Sequence, residues 1–241
     1  MAHTAKTLAS KKQETMNYHL KIEEKLSNVE IDKIYSSVFR KNHEESGFVV
    51  LTFEKPMNSK ILRKYMVQIK ESLCKKCQAE FYEELDFYWL GRFNHQNTTP
   101  YHRDNAPEDS FLMLGYEPTK VESKLSFADY HQLITKNNIP VDKYYELYNP
   151  LFKKGAELLK PYITEAECFD KAAYKIVLMN NSDLTSKKTC GVLHKAEIPE
   201  KDLSQPRILN SIMLYLKPMN QPSIKTKEEE IEFLETNAIS E

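Results

Sequence analysis

Apolar positions recur at helical spacing twice in the first third of the chain. Val29, Ile31, Ile34, Tyr35 and Val38 share one face of a helix expected over 29–40. Ile61, Leu62, Tyr65, Met66, Ile69 and Leu73 do the same over 59–84, with Asn58 or Ser59 placed to cap the start. Between them Gly47 opens the short apolar run 48–53, which reads as a strand. The aromatic-rich segment 86–94 alternates as a half-buried strand does, and Pro100 begins a second extended segment because proline and its predecessor both disfavour helix. Helical spacing returns over 126–166, through Phe127, Tyr130, Leu133 and Ile134 and then Tyr144, Leu147, Leu151, Leu158 and Leu159, broken at Pro140 and Pro150. Strands are expected at 173–179, 190–198 and 207–216. The polar residues 1–28 read as a flexible arm that turns helical near Leu20 to Leu26, and the charged tail 220–241 as a short or frayed helix. A single domain over 29–219, with 126–166 as a helical insert between strands, is the organisation these patterns imply.

Helices, strands, a helical insert and more strands do not alternate regularly, which argues against a doubly wound nucleotide-binding sheet. No GxGxxG or GxxxxGK[ST] occurs, and five glycines leave little for a phosphate cradle. With 34 Lys and Arg against 35 Asp and Glu in 241 residues, the net charge of −1 exerts no global pull on nucleic acid or anionic lipid, and neither is expected as a partner. No apolar run has the roughly 18–20 residues of a membrane span and the first residues lack an apolar signal core, so a cytoplasmic address is expected. Cys74, Cys77, Cys168 and Cys190 then read as thiols.

The chemistry concentrates at Pro100-Tyr101-His102-Arg103-Asp104. Residues i and i+2 of an extended segment project to one side, so His102 and Asp104 can converge on one ion while Tyr101 and Arg103 point away. His194, on the later strand with Val192 and Ala196, supplies a third ligand. Two imidazoles and one carboxylate on one side of a metal, with the opposite positions open, suit Fe(II), a chelating cosubstrate and oxygen. Thirteen residues on, Arg207 begins a strand whose alternation sets Arg207, Ser211, Met213 and Tyr215 against Ile208, Ile212, Leu214 and Leu216. The second set is a packing face, and the first is composed like a cavity wall.

In this order, H-x-D, a distant His and then an Arg about a dozen residues later, the chain resembles the Fe(II)- and 2-oxoglutarate-dependent dioxygenases over roughly residues 86–216. The resemblance implies a double-stranded β-helix, a cupin-like jelly roll of mainly β or α+β class with helices packed on one sheet. It implies that His102, Asp104 and His194 hold iron and that Arg207 pairs with the distal carboxylate of 2-oxoglutarate. A planar guanidinium suits that task, and Ser211 can add a hydroxyl. Arg92 and Asn94, with Tyr88, are the next candidates to face the cavity, and Arg92 would inherit the carboxylate if Arg207 lay on the surface. The implied reaction consumes 2-oxoglutarate and molecular oxygen, releases succinate and carbon dioxide, and hydroxylates a C–H bond. The presence of Asp104 favours that outcome, since related halogenases lack the carboxylate. Ninety positions separate Asp104 from His194, so the insert must be tolerated between core strands.

Two other functions share these residues: a cupin-type metal enzyme that does not use 2-oxoglutarate, in which Arg207 has no ligand role, and a non-catalytic metal-binding barrel. His43-Glu44-Glu45 is a competing H-x-E but lies in a polar stretch, while His95 is expected on the opposite strand face and His131 within a helix. Cys74-x-x-Cys77 falls on a Lys-rich helix without a second pair, so these are helix-face thiols. Phe87, Tyr88 and Trp89 read as core. The substrate, small molecule or peptide, is left open, as is the oligomeric state, and the insert with Tyr130, Tyr144, Tyr145 and Tyr148 is the expected lid or selectivity element.

Overall fold

A computed structural model describes residues 18–23, 25–151, 153–166 and 172–239. Its helices form where apolar spacing and caps agree. Helix α1 spans Asn28–Val38, and α2 spans Ser59–Phe81, started by the Asn58 side chain, which accepts from the Ile61 amide at 3.0 Å, and ended by Tyr82 in the left-handed region at φ 57°. Leu62, Met66, Ile69, Leu73 and Cys77 line the buried stripe of α2, and each large apolar side chain so removed from water contributes about 1.5–3 kcal/mol.

The strands are β1 His19–Ile22, β2 Phe48–Phe53, β3 Glu83–Asn94, β4 Ser110–Tyr116, β5 Lys124–Ala128, β6 Ile163–Glu165, β7 Lys175–Asn180, β8 Leu193–Glu197 and β9 Ile208–Pro218. Six of them form a sheet in the order β1-β2-β7-β4-β9-β3, antiparallel apart from the β1–β2 pair, and three form a second sheet, β6-β5-β8. Alternation gives the large sheet two apolar faces. Phe111, Met113, Ile176, Leu178, Ile212 and Leu214 pack against α1, α2 and Phe233 of the C-terminal helix α6, Lys227–Glu235. Val50, Leu112, Val177, Met179, Leu209 and Met213 pack on Leu125 and Phe127 of the small sheet, with the Phe48 and Phe127 rings stacked at 3.7 Å between centroids. Beyond the small sheet lies the insert: α3 Tyr130–Lys136, α4 Val141–Lys143, a π-helical turn Tyr144–Tyr148, and α5 Lys153–Leu159.

The result is a mixed α and β fold with a large antiparallel sheet. Among the described residues the two facing sheets are hydrogen-bonded separately and do not close into a continuous barrel. Residues 19–22, read as part of an arm turning helical, instead add a parallel edge strand to β2. The insert does not begin or end in helix: Ser126, Phe127 and Ala128 pair with Glu165, Thr164 and Ile163, so two short strands close its base. Residues 1–17 of the arm and Cys168 lie outside the described residues; Cys74, Cys77 and Cys190 are free thiols. No helix among the described residues is long and apolar enough to cross a membrane.

Candidate metal centre

The segment 98–102 runs along β8 as an irregular extra strand. Thr99 donates to the Ala196 carbonyl at 2.9 Å, and His102 and His194 exchange backbone hydrogen bonds of 3.1 and 2.9 Å. This bridge sets the two imidazoles 4.2 Å apart between centroids and tilted by 45°, although 92 positions part them in sequence. Asp104 closes the group: its Oδ1 is 3.3 Å from His102 Nε2 and 3.9 Å from His194 Nε2, and one ligand atom from each of the three residues lies within 4.8 Å of the others.

The donor set fits a divalent cation. His102 Nδ1 is 2.9 Å from the Pro100 carbonyl, and a hydrogen bond there fixes the proton on Nδ1 and leaves Nε2 free to ligate. His194 is 7% exposed; burial, partly offset by Asp104, pushes its pKa down to about 4, so the ring is neutral and ready to donate an electron pair. Burial also opposes charge on His102, but hydrogen bonds to Asp104 and the Pro100 carbonyl outweigh it and raise that pKa. For Asp104 burial works upward, yet the hydrogen bond with His102 and the positive charge that the two rings take up at low pH hold the carboxyl below its usual range. A cation would replace the proton shared between His102 and Asp104.

Asn181 fixes Asp104 from behind. Its side chain accepts from the Asp104 amide at 2.8 Å and donates to the Asp104 carbonyl at 3.1 Å, and it also reaches Ser110 Oγ at 2.9 Å. Arg103, pointing away from the centre, donates to the carbonyls of Asn181, Ala106 and Pro107 and ties the loop to β7. Neither role is marked by any pattern in the sequence.

A cavity of about 280 Å³ opens on all three residues and is lined further by Arg207, Ser211, Tyr116, Trp89 and Phe93. Arg207 is 3% exposed and stands 5.4 Å from the centroid of the Tyr116 ring. Its Nη1 donates to the His95 carbonyl at 2.8 Å, its Nε has no protein partner, and no acidic side chain among the described residues pairs with it. A buried guanidinium without a counter-ion is costly, and an anion in the cavity would offset that cost. Ser211 Oγ accepts from Trp89 Nε1 at 3.2 Å, which leaves its own O–H to donate.

Arg92 and Asn94 do not line this cavity. A bulge between Phe87 and Trp89 shifts the register of β3 against β9 and reverses the faces beyond it. Arg92 therefore turns toward the helices, where it donates to the Asn237 carbonyl at 2.8 Å and pairs with Glu117 at 3.3 Å. The Asn94 side chain accepts from the Arg207 amide at 3.0 Å, holding that residue's backbone. Trp89 and Phe93 take the cavity face instead, stacked at 5.3 Å across Gly91, where an added Cβ would lie 2.6 Å from the Phe93 ring.

No family model and no curated protein matches the chain. Among solved structures, a Burkholderia xenovorans protein assigned as an alpha-ketoglutarate dependent 2,4-D dioxygenase aligns over 85% of this chain and 95% of its own, at 12% identity and a TM-score of 0.40. AAD-2, solved in complex with Mn(II) and N-oxalylglycine, aligns over 85% and 93%, at 10% identity and a TM-score of 0.35. Both scores fall below 0.5.

The competing histidines lie elsewhere in chemistry. His95 lines the cavity and lends its carbonyl to Arg207, but it is not in the His102, Asp104, His194 group. His43 and Arg40 both face Asp129, at 3.6 and 2.7 Å, which caps α3. Cys77 is buried on α2 and its thiol is pushed well up, away from reactivity.

Proposed function

We propose that the chain is an Fe(II)- and 2-oxoglutarate-dependent dioxygenase, its two facing sheets an open form of the double-stranded β-helix. The observation that carries this reading is one cavity shared by a two-His, one-carboxylate group and a buried guanidinium without an acidic partner. In it His102, Asp104 and His194 hold the metal, and Asp104 contributes the negative charge that two neutral imidazoles lack. Arg207 binds the distal carboxylate of 2-oxoglutarate with its planar fork. Ser211, whose oxygen already accepts from Trp89, donates its proton to the same carboxylate. Bound at this centre, Fe(II) supplies the redox chemistry that couples decarboxylation of 2-oxoglutarate by molecular oxygen to oxidation of a substrate C–H bond. Trp89, Phe93, Leu112 and Leu125 wall the cavity with apolar surface beside the reacting groups. No nucleophilic side chain is required.

Incubation in air with Fe(II), a reductant and 2-oxoglutarate should yield succinate, slowly without substrate, and His102→Ala should abolish it. If Fe(II) binds and succinate never forms under any substrate screen, the oxygenase reading fails and the cupin-type enzyme or the non-catalytic metal-binding barrel replaces it.

A further inference from the structure

A second cavity, of about 170 Å³, lies between the metal centre and the insert. His102 lines it as well as the first, so the two spaces meet at one ring. Four tyrosines, Tyr101, Tyr130, Tyr144 and Tyr145, line it further, with Asn149, Leu151 and Leu193 beside them. Three of the four phenols are already engaged. Tyr130 donates to the Ser182 carbonyl at 2.6 Å, Tyr145 donates to Asp183 at 2.8 Å, and Tyr101 shares a hydrogen bond of 2.8 Å with Ser126. These three offer a ligand their rings. Tyr144 differs: it is 2% exposed, its hydroxyl is buried without a protein partner, and it stands on the π-helical turn Tyr144–Tyr148. A buried unpaired hydroxyl is costly, and π turns recur at functional sites.

The charge on the wall fixes the ligand class. Arg103 lines the cavity, which disfavours a cation among the tyrosines, while its charge is already paired with Asp183 at 3.5 Å and its Nε and Nη2 donate to the Asn181, Ala106 and Pro107 carbonyls, which disfavours an anion. We propose that this cavity is a substrate subsite for a neutral, planar aromatic ring bearing one hydrogen-bonding substituent, which meets the Tyr144 hydroxyl while the remainder of the molecule extends toward His102. Its role as a substrate subsite rests on the function proposed above; its ability to bind such a ring does not.

Fluorine NMR of 4-fluorophenol and fluorobenzene with the full chain separates the two. Wild type should bind both saturably, the phenol more tightly. Tyr144→Phe should weaken the phenol roughly fivefold to tenfold and leave fluorobenzene unchanged. Leu151→Trp, at a position 68% exposed and so tolerant of size, should abolish both. Mn(II) should broaden the line of bound phenol in wild type and not in His102→Ala. Absence of saturable binding, binding insensitive to both cavity variants, or a sharp line while Mn(II) is bound would each overturn the proposal. If the phenol binds as expected but Mn(II) does not bind at all, the ring site stands and the oxygenase reading falls.

Discussion

Replacing Arg207 isolates the cosubstrate claim from the metal claim. Its guanidinium donates to the His95 carbonyl at 2.8 Å and lies against Tyr116, its Nε has no protein partner, and no acidic side chain among the described residues forms an ion pair with it. Arg207→Met keeps the length and removes an uncompensated buried charge, so folding stability should hold or rise. A charge-assisted hydrogen bond to a carboxylate contributes about 1.5–3 kcal/mol, so losing even one of the fork's bonds should weaken 2-oxoglutarate roughly 10- to 150-fold. Arg207→Lys keeps the charge and loses the fork, and should fall between. Anaerobic calorimetry of 2-oxoglutarate into Mn(II)-loaded protein measures this, with Mn(II) affinity as the control. Should the Met variant bind 2-oxoglutarate within twofold of wild type while its Mn(II) affinity is unchanged, Arg207 is no carboxylate anchor.

Other outcomes follow from the supporting residues. Asn181→Ala removes the clamp on both sides of the Asp104 backbone and should cut Mn(II) affinity about 10- to 100-fold, as read by electron paramagnetic resonance titration; an unchanged affinity would detach Asn181 from the centre. Burial, followed by the nearby Arg40 charge, pushes the pKa of His131 down to about 4. The unfolded chain binds this proton near pH 6.5 and the native protein does not until about pH 4, so stability is lost as pH falls through that window, by on the order of 3 kcal/mol. In His131→Gln the decline in urea midpoint from pH 7 to 4.5 should be shallower than in wild type, and equal slopes would refute the assignment. At Gly191 an added Cβ would lie 2.1 Å from the Ser182 carbonyl oxygen, so Gly191→Ala should displace the lead into β8 and lower both the melting temperature and Mn(II) affinity; a wild-type melt would show that the backbone yields there.

The His102, Asp104 and His194 cluster was readable in the sequence because its two halves are local patterns: an H-x-D on extended backbone, and a histidine on an apolar strand. Their meeting depends on the bridge between His102 and His194, which no periodicity encodes. Ser211 and Arg207 were likewise readable from the alternation of β9, whose Ile212 and Leu214 pack on the helices while Leu209 and Met213 pack on the small sheet. Alternation failed on β3 because one bulge inverts parity, exchanging Arg92 and Asn94 for Trp89 and Phe93. It gave no signal for β4, whose Ser110–Tyr116 run is apolar on both faces, between β7 and β9 at the middle of the large sheet. Asn181 escaped notice since a turn asparagine looks alike whether it caps a loop or clamps a ligand's backbone.

Anaerobic addition of Fe(II) and then 2-oxoglutarate, followed by visible absorption, tests the centre most directly. A centre held by His102, Asp104 and His194 should bind one Fe(II) per chain and give a weak visible charge-transfer band that develops with 2-oxoglutarate, is lost in His102→Ala and is weakened in Arg207→Met. Fe(II) binding that is unaffected by removing His102, or the lack of any band with both ligands bound, would contradict it.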